Sequence, residues 1–378
     1  MKRSTERILT THTGSLPRSL GLVAMIQTRE AGEPVDVQQF AATVRTEVAE
    51  AVRKQVDVGI DVVSDGELGK PSFATYTVER IAGFGGENPE PRVSRDWETF
   101  PDWSSQMPRP NMKRRLCLEP LIWRGDGATQ TDLENLAAAI ESSGAKEAFM
   151  PSASLGIIAD IMVNRYYPSE ESYLQALAEA MRQEYRAITD AGYILQIDAP
   201  DAAMGRHMQF RNSSLQDFRK ATEMRIEALN HALEGIPEEQ IRFHICWGNH
   251  EAPHVHDVPL ADIIDLIFSV HAGAYSIEAA NPRHAHEWRL WEDVRLPEGK
   301  VLIPGVIDTT TNFVEHPELV AERIERYARL VGKENVIAGT DCGFGTIAGR
   351  SRVHPEIVWH KLRALSDGAA LASKRLWG

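Results

Sequence analysis

Short runs of β-branched or apolar residues alternate with long amphipathic stretches from one end of this chain to the other. No other feature constrains the fold as strongly. The alternation is that of repeated βα units, and it argues against an antiparallel meander or a helical bundle. Eight candidate strands lie at residues 8–13, 61–65, 148–151, 193–198, 242–246, 274–278, 301–308 and 335–341. Helical patterns fill the intervals, as at 36–56, where Val37, Phe40, Ala41, Val44, Val48 and Val52 share a face and Asp36 with Gln39 forms a capping box. Others span 169–191, 214–233, 317–331 and 355–376. The expected fold is α/β, a (β/α)8 TIM barrel, with residues 1–378 forming a single domain.

Eight units in 378 residues average about 47 each, more than a minimal barrel needs, so the surplus belongs in insertions. One is readable at about 84–128, between the second and third strands. It holds Pro89, Pro91, Pro101, Pro108, Pro110 and Pro120 together with Trp97, Trp103 and Trp123. Proline at this density breaks helices and central strands, which leaves an excursion ending in a hairpin at 112–123. Its aromatics either cover the barrel mouth or pack on the barrel side as a structural flap.

With 41 basic and 54 acidic side chains the net charge is −13, and the longest basic run is Lys113-Arg114-Arg115. A nucleic-acid partner is therefore not expected. No apolar run is long enough for a membrane span, and the N-terminus carries no signal core, so a cytoplasmic location is expected. Three cysteines, Cys117, Cys246 and Cys342, cannot form a disulfide framework and suit a reducing compartment. The composition is compatible with a homo-oligomer and does not specify one.

A barrel presents its chemistry at the carboxyl ends of its strands. Those ends carry His12-Thr13-Gly14-Ser15, Asp65-Gly66-Glu67, Asp198, His244-Ile245-Cys246, Glu278, Asp308 and Asp341-Cys342. His244 and Cys246, two apart on one strand, point to the same face. Imidazole and thiol suit Zn2+; Cys342 adds a second thiolate and Glu278 an oxygen. Cys117, in the insertion, reads as structural. A rival metal site could be drawn from His250, His254 and His256, or from His284 and His286, although Pro253 and Pro282 place these in loops. The run Gly343 to Gly349 spaces its glycines as G-x-G-x-x-x-G, off the dinucleotide register, and neither a Walker A loop nor a G-x-S-x-G elbow occurs.

These segments carry a family resemblance. Thr10 to Arg18 (TTHTGSLPR), Asp65-Gly66-Glu67, Gln196-Ile197-Asp198, His244-Ile245-Cys246, Ser276-Ile277-Glu278, Gly305-Val306-Ile307-Asp308 and Thr340-Asp341-Cys342-Gly343 follow the order found in the catalytic half of cobalamin-independent methionine synthase. The chain is still more similar to the single-barrel branch of that superfamily, which includes epoxyalkane:coenzyme M transferase. The resemblance implies a zinc-bound thiol nucleophile, with His244, Cys246, Glu278 and Cys342 as ligands and Glu278 as the one a thiol displaces. It also implies that Ser15 faces the carboxylate of an amino-acid thiol, and Glu67 and Asp198 its ammonium. Three departures stand out. The synthase's N-terminal half, which helps bind its polyglutamylated folate, has no counterpart here, which argues against folate as donor. The synthase's Asp-Glu-Pro-Ala reads Asp198-Ala199-Pro200-Asp201, and a histidine after the seventh-strand aspartate is replaced by Thr310.

The first functional reading is zinc-dependent alkyl transfer to a small thiol such as coenzyme M, opening an epoxide. Asp198, Asp308 and His250 are then the candidate catalytic proton carriers, with Glu67 and His284 nearby, and Arg18, Lys70 and Arg283 the cations for a sulfonate. The alternative is methyl transfer to homocysteine or a related thiol, from a simple methyl donor or a corrinoid protein partner; Glu67 and Asp198, as paired carboxylates, favour it. A third reading is a non-catalytic zinc- or thiol-binding barrel.

Overall fold

The computed structural model describes residues 1–107 and 114–378. Its strands are β1 Leu9–Thr10, β2 Val62–Val63, β3 Ile81–Gly85, β4 Leu116–Trp123, β5 Glu147–Ala153, β6 Val163–Asn164, β7 Ile194–Asp198, β8 Ile241–Ile245, β9 Ala274–Ile277, β10 Val301–Ile307 and β11 Ile337–Thr340. Eight of them form one parallel sheet in the order β1-β11-β10-β9-β8-β7-β5-β2. A parallel bridge between Thr11 and Val62 joins the two ends, and Thr11 Oγ1 donates to Val62 O at 3.0 Å. The sheet is thus a closed (β/α)8 TIM barrel whose strands coincide with the eight expected from sequence. β1 and β2 are shorter than expected because the chain turns inward after each: Gly14 has φ 135, and Gly66 and Glu67 have φ 71 and 56.

Charge lies at the bottom of the barrel as well as at its top. Arg242 on β8 is buried inside, stacked 3.3 Å from the Phe149 ring centroid. Its guanidinium donates to Gln196 Oε1 at 2.6 Å, Thr11 Oγ1 at 2.9 Å and His12 O at 2.6 Å, so one side chain ties three strand ends together. Outside the sheet, amphipathic helices close the layer. Val37–Asp57 buries Val44, Val48 and Val52, while Val37 at its overhanging first turn is exposed. Asp36 caps that helix by accepting from the N–H of Gln38 and Gln39, the cap half of the expected box. Glu170–Asp190, Leu215–Leu233, Pro317–Val331 and Pro355–Trp377 match the other expected helices within a residue.

The insertion departs from expectation in form. β3 pairs antiparallel with β4, and β4 pairs parallel with β6, making a separate three-stranded sheet; two short helices, Arg95–Thr99 and Pro101–Gln106, follow β3. The partner of β4 thus lies some thirty residues upstream, not in a hairpin at 112–123. Pro108, Pro110, Met112 and Lys113 fall outside the described residues. A bulge at Gly83 (φ 106), where a Cβ would lie 2.7 Å from Pro120 O, breaks the alternation that marks a strand in sequence. Among the described residues no helix is long and apolar enough to cross a membrane.

Candidate metal centre and substrate cavity

The loops after the barrel strands converge on a cavity of about 400 Å3. At its base the ligand atoms of His244, Cys246 and Cys342 lie within 4.8 Å of one another, all three side chains buried. His244 lies on β8 and Cys246 directly after its end, two residues apart so that the strand period turns both inward, and Cys342 follows β11. Both ring nitrogens of His244 are buried without a hydrogen-bond partner. The thiol of Cys342 and the imidazole of His244 hold Cys246 well below the ordinary thiol range. Among the described residues this is the one such group of histidine, cysteine or acidic side chains. Glu278 adjoins it without joining it. Its Oε2 accepts from Asn281 Nδ2 at 3.1 Å, and burial with the neighbouring Cys246 raises its carboxyl strongly.

The second component is a pair of carboxyls. Glu67 and Asp198 line the same cavity and are almost fully buried. Asp198 accepts from Gln196 Nε2 at 2.6 Å, while Glu67 Oε2 finds no partner among the described residues. Burial pushes Glu67 up to about 7 despite Lys70 and Arg18, and burial together with the charge of Glu67 raises Asp198 well above the carboxylate range. Ser15 completes this end, its Oγ 3.3 Å from the donor Gly345 N.

Other expected residues are placed differently. Arg18 gives its donors to the backbone carbonyls of Leu68, Gly345, Glu67 and Lys70; Lys70 donates to Pro151 O at 2.7 Å and lies over the Tyr76 ring. Neither lines the cavity, so the expectation that they hold a substrate anion is corrected: they brace the Glu67 loop. Asp308 spends both oxygens on Thr310 and Thr311, at 2.6 to 3.0 Å. It lines a second cavity of about 360 Å3 with Glu278 and Asp341. His250 lies between the two cavities and lines both; burial and the neighbouring His254, His207 and Arg352 lower it to about 3, which keeps it neutral. The rival histidines do not gather round a vacancy. His254 and His284 bond to the buried Asp257, and His256 to Thr99. Cys117 is buried on β4 against Glu119 O, as a structural thiol.

Of the two places the sequence left open for the insertion's aromatics, Trp97 and Trp103 take the barrel mouth, on the upper wall of the cavity. Sequence reasoning missed the arginines of that wall, Arg92 and Arg114 from the insertion and Arg350 and Arg352 from the loop after β11. The tryptophans were a visible signal; the arginines carry no local pattern.

Comparisons with known proteins find relatives that span most of the chain. The family model "Cobalamin-independent synthase, Catalytic domain" matches residues 8–94 and 155–358. A methionine synthase of Thermococcus kodakarensis is 24% identical over 365 residues, covering 96% of this chain and 93% of the relative. One of Pyrococcus furiosus is 24% identical over 332 residues, covering 87% and 84%. Among solved structures, a B12-independent methionine synthase from Shewanella sp., in complex with selenomethionine, superposes with a TM-score of 0.76 at 20% identity, covering 98% of this chain and 99% of that one. A putative vitamin-B12 independent methionine synthase from Listeria monocytogenes gives 0.67 at 19%, covering 98% and 99%.

Proposed function

This chain belongs to the family of the cobalamin-independent synthase catalytic domain, and from that membership we propose that it is a zinc-dependent S-methyltransferase acting on homocysteine or a related amino-acid thiol. The observation that carries the reading is the juxtaposition, in one cavity, of three soft donors with the two buried carboxyls of Glu67 and Asp198.

The donor set fits zinc. Two thiols and an imidazole whose ring nitrogens are both buried and unpartnered would be costly to leave unbonded, and N/S ligation is what zinc takes. His244, Cys246 and Cys342 would hold it, with Glu278 beside them as the expected fourth donor. Zinc bound there acts as a Lewis acid that keeps a thiol sulfur deprotonated at neutral pH. Glu67 and Asp198 accept the ammonium of the thiol substrate, and Ser15 meets its carboxylate. The sulfur then forms a bond to the methyl carbon as the bond from that carbon to its leaving atom breaks, the electron pair departing with the leaving group. His250, neutral and lining both cavities, and Asp198 would take the thiol's proton.

Epoxide opening with coenzyme M stands behind this reading. The named relatives are methionine synthases, and of the three cations expected for a sulfonate Arg18 and Lys70 are bonded to carbonyls while Arg283 lines the second cavity. Calorimetry of the full chain with homocysteine and with coenzyme M tests the choice. We expect about one zinc per chain, lost in Cys246→Ser, and homocysteine binding abolished in Glu67→Gln. Protein free of zinc when purified without chelator, or binding of coenzyme M alone, overturns the proposal.

A further inference from the structure

We propose that the methyl-donating substrate is an anion, and that Arg92 and Arg114 form a subsite at the rim of the cavity for its carboxylate or phosphate group; this rests on the thiol-methylation reading above. Both side chains line the cavity and are half-buried. Arg114 lies in the stretch 95–154 that the family model passes over, so the subsite belongs to this chain more than to its family.

What marks the pair is that no carboxylate is bonded to either guanidinium among the described residues, although the charges of Glu90 and Asp160 are felt at Arg114. Arg92 Nη2 lies 3.9 Å from Met204 Sδ, Arg114 Nη1 donates to the carbonyl of Glu90 at 2.6 Å, and Arg114 Nε is buried without a partner. Neither contact brings a negative charge, and neither guanidinium forms an ion pair among the described residues. Burial lowers both, and Arg92 is lowered further by the charge of Arg114. The buried carboxylate that both sense, Asp160, is already bonded to Arg225 at 2.8 Å. Residues 108–113 read Pro-Arg-Pro-Asn-Met-Lys and contain no acid. Glu87, Glu90 and Glu251 share the rim but are exposed, so water screens them, and Glu90 engages Arg165 at 3.3 Å. Two partly desolvated like charges side by side are unfavourable until an oxyanion takes their donors, which guanidinium forks do bidentately.

The subsite suits the donor and not the thiol. The deep end of the cavity carries Glu67 and Asp198, which repel an anion and attract an ammonium. A second molecule entering over the thiol, between Trp97 and Trp103, would turn its reacting carbon inward and leave its charged end at the rim. By the same argument, the arginines disfavour a cationic sulfonium donor.

The test uses the zinc-loaded full chain and its tryptophan fluorescence, because Trp97 and Trp103 line the same cavity. Sodium succinate, inorganic phosphate and, as control, tetramethylammonium chloride are titrated at constant ionic strength. We expect a saturable response to an oxyanion and none to the cation; a response to succinate alone assigns a carboxylate donor, to phosphate alone a phosphate ester. Arg92→Ala and Arg114→Ala should each weaken it by about tenfold or more, and Arg92→Lys by less, with thermal midpoints unchanged. Saturating homocysteine should leave the oxyanion affinity as it was. The absence of saturation, or equal affinity in all variants, overturns the subsite. Displacement of the oxyanion by homocysteine or by 2-mercaptoethanesulfonate overturns its assignment to the donor. Since the titration needs no turnover, failure of the methylation reading would appear separately, as failure to bind homocysteine.

Discussion

Glu67 sits where its charge depends on what the protein binds. Its carboxyl is raised to about 7 by burial, so near neutrality it is only partly ionised, and an arriving ammonium must find it ionised. Homocysteine affinity should therefore fall as pH drops below about 7, approaching tenfold per pH unit; calorimetry across pH 5.5 to 8.5 in several buffers measures it. The backbone behind it is equally specific. At Gly14 a Cβ would lie 2.6 Å from Pro151 Cγ and 2.7 Å from Glu67 Oε1, at φ 135. Gly14→Ala should cost about 1–3 kcal/mol in stability and weaken homocysteine binding while leaving zinc content intact, since the metal donors lie on other strands. Zinc analysis with thermal melts checks it, and loss of zinc would show that the two ends of the cavity are coupled. His244 and Cys246 were legible because a strand's period of two puts both on one face. Arg92 and Arg114 were not, because the walls of a cavity are drawn from segments with no common period.

Loops, not strands, hold the site's shape, and one carboxylate pins three of them. His207, His254 and His284 follow β7, β8 and β9, and each places a ring nitrogen 2.8 to 2.9 Å from an Asp257 oxygen. His284 also bonds Glu287 at 2.9 Å and stacks on Trp247 at 3.9 Å between centroids. The sequence offered His254 and His284 within two rival metal sites, with His250 and His256 and with His286, since H-x-H spacing looks alike in either role; only the fold brings His207 and Asp257 to them. His284 is raised to about 9, chiefly by Asp257 and Glu287 against the effect of burial. A raised histidine contributes stability fully below its unfolded value near 6.5 and loses it as pH climbs through about 9. Asp257 is depressed by its three imidazoles, so its share is present above the ordinary carboxylate value near 4 and lost below it. Stability should therefore peak between about pH 4 and 6.5 and decline toward 9, on the order of 3 kcal/mol from His284 alone. Denaturant unfolding at a series of pH values measures this. Asp257→Asn should flatten the alkaline decline, and an unchanged profile would sink the assignment.

At the scale of the molecule, all eight barrel strands were readable because each is an apolar run ending in a polar turn, whereas the sheet of β3, β4 and β6 was not, since glycine and proline break its pattern. We propose that residues 1–378 fold as one barrel domain, and the seam between the chain's ends is where that proposal is exposed. β1 pairs with β11, and the final helix Pro355–Trp377 lies against both, burying Val358, Leu362, Leu365, Ala369 and Ala372. Ile8 N donates to Ser373 Oγ at 2.9 Å, and the buried Lys361 pairs with Glu315 at 2.9 Å. A Cβ on Gly368 would lie 2.5 Å from Val320 Cβ, so this helix and Pro317–Val331 touch backbone to side chain. Cys342 stands two residues beyond β11, so an open seam would also scatter the metal donors. Leu362→Ala should cost about 2–5 kcal/mol by leaving a cavity under the helix, with zinc still bound. Deleting residues 355–378 should instead abolish both the cooperative thermal transition and zinc retention. A truncated chain that still melts in one transition and keeps its metal would show that the barrel closes without its last helix.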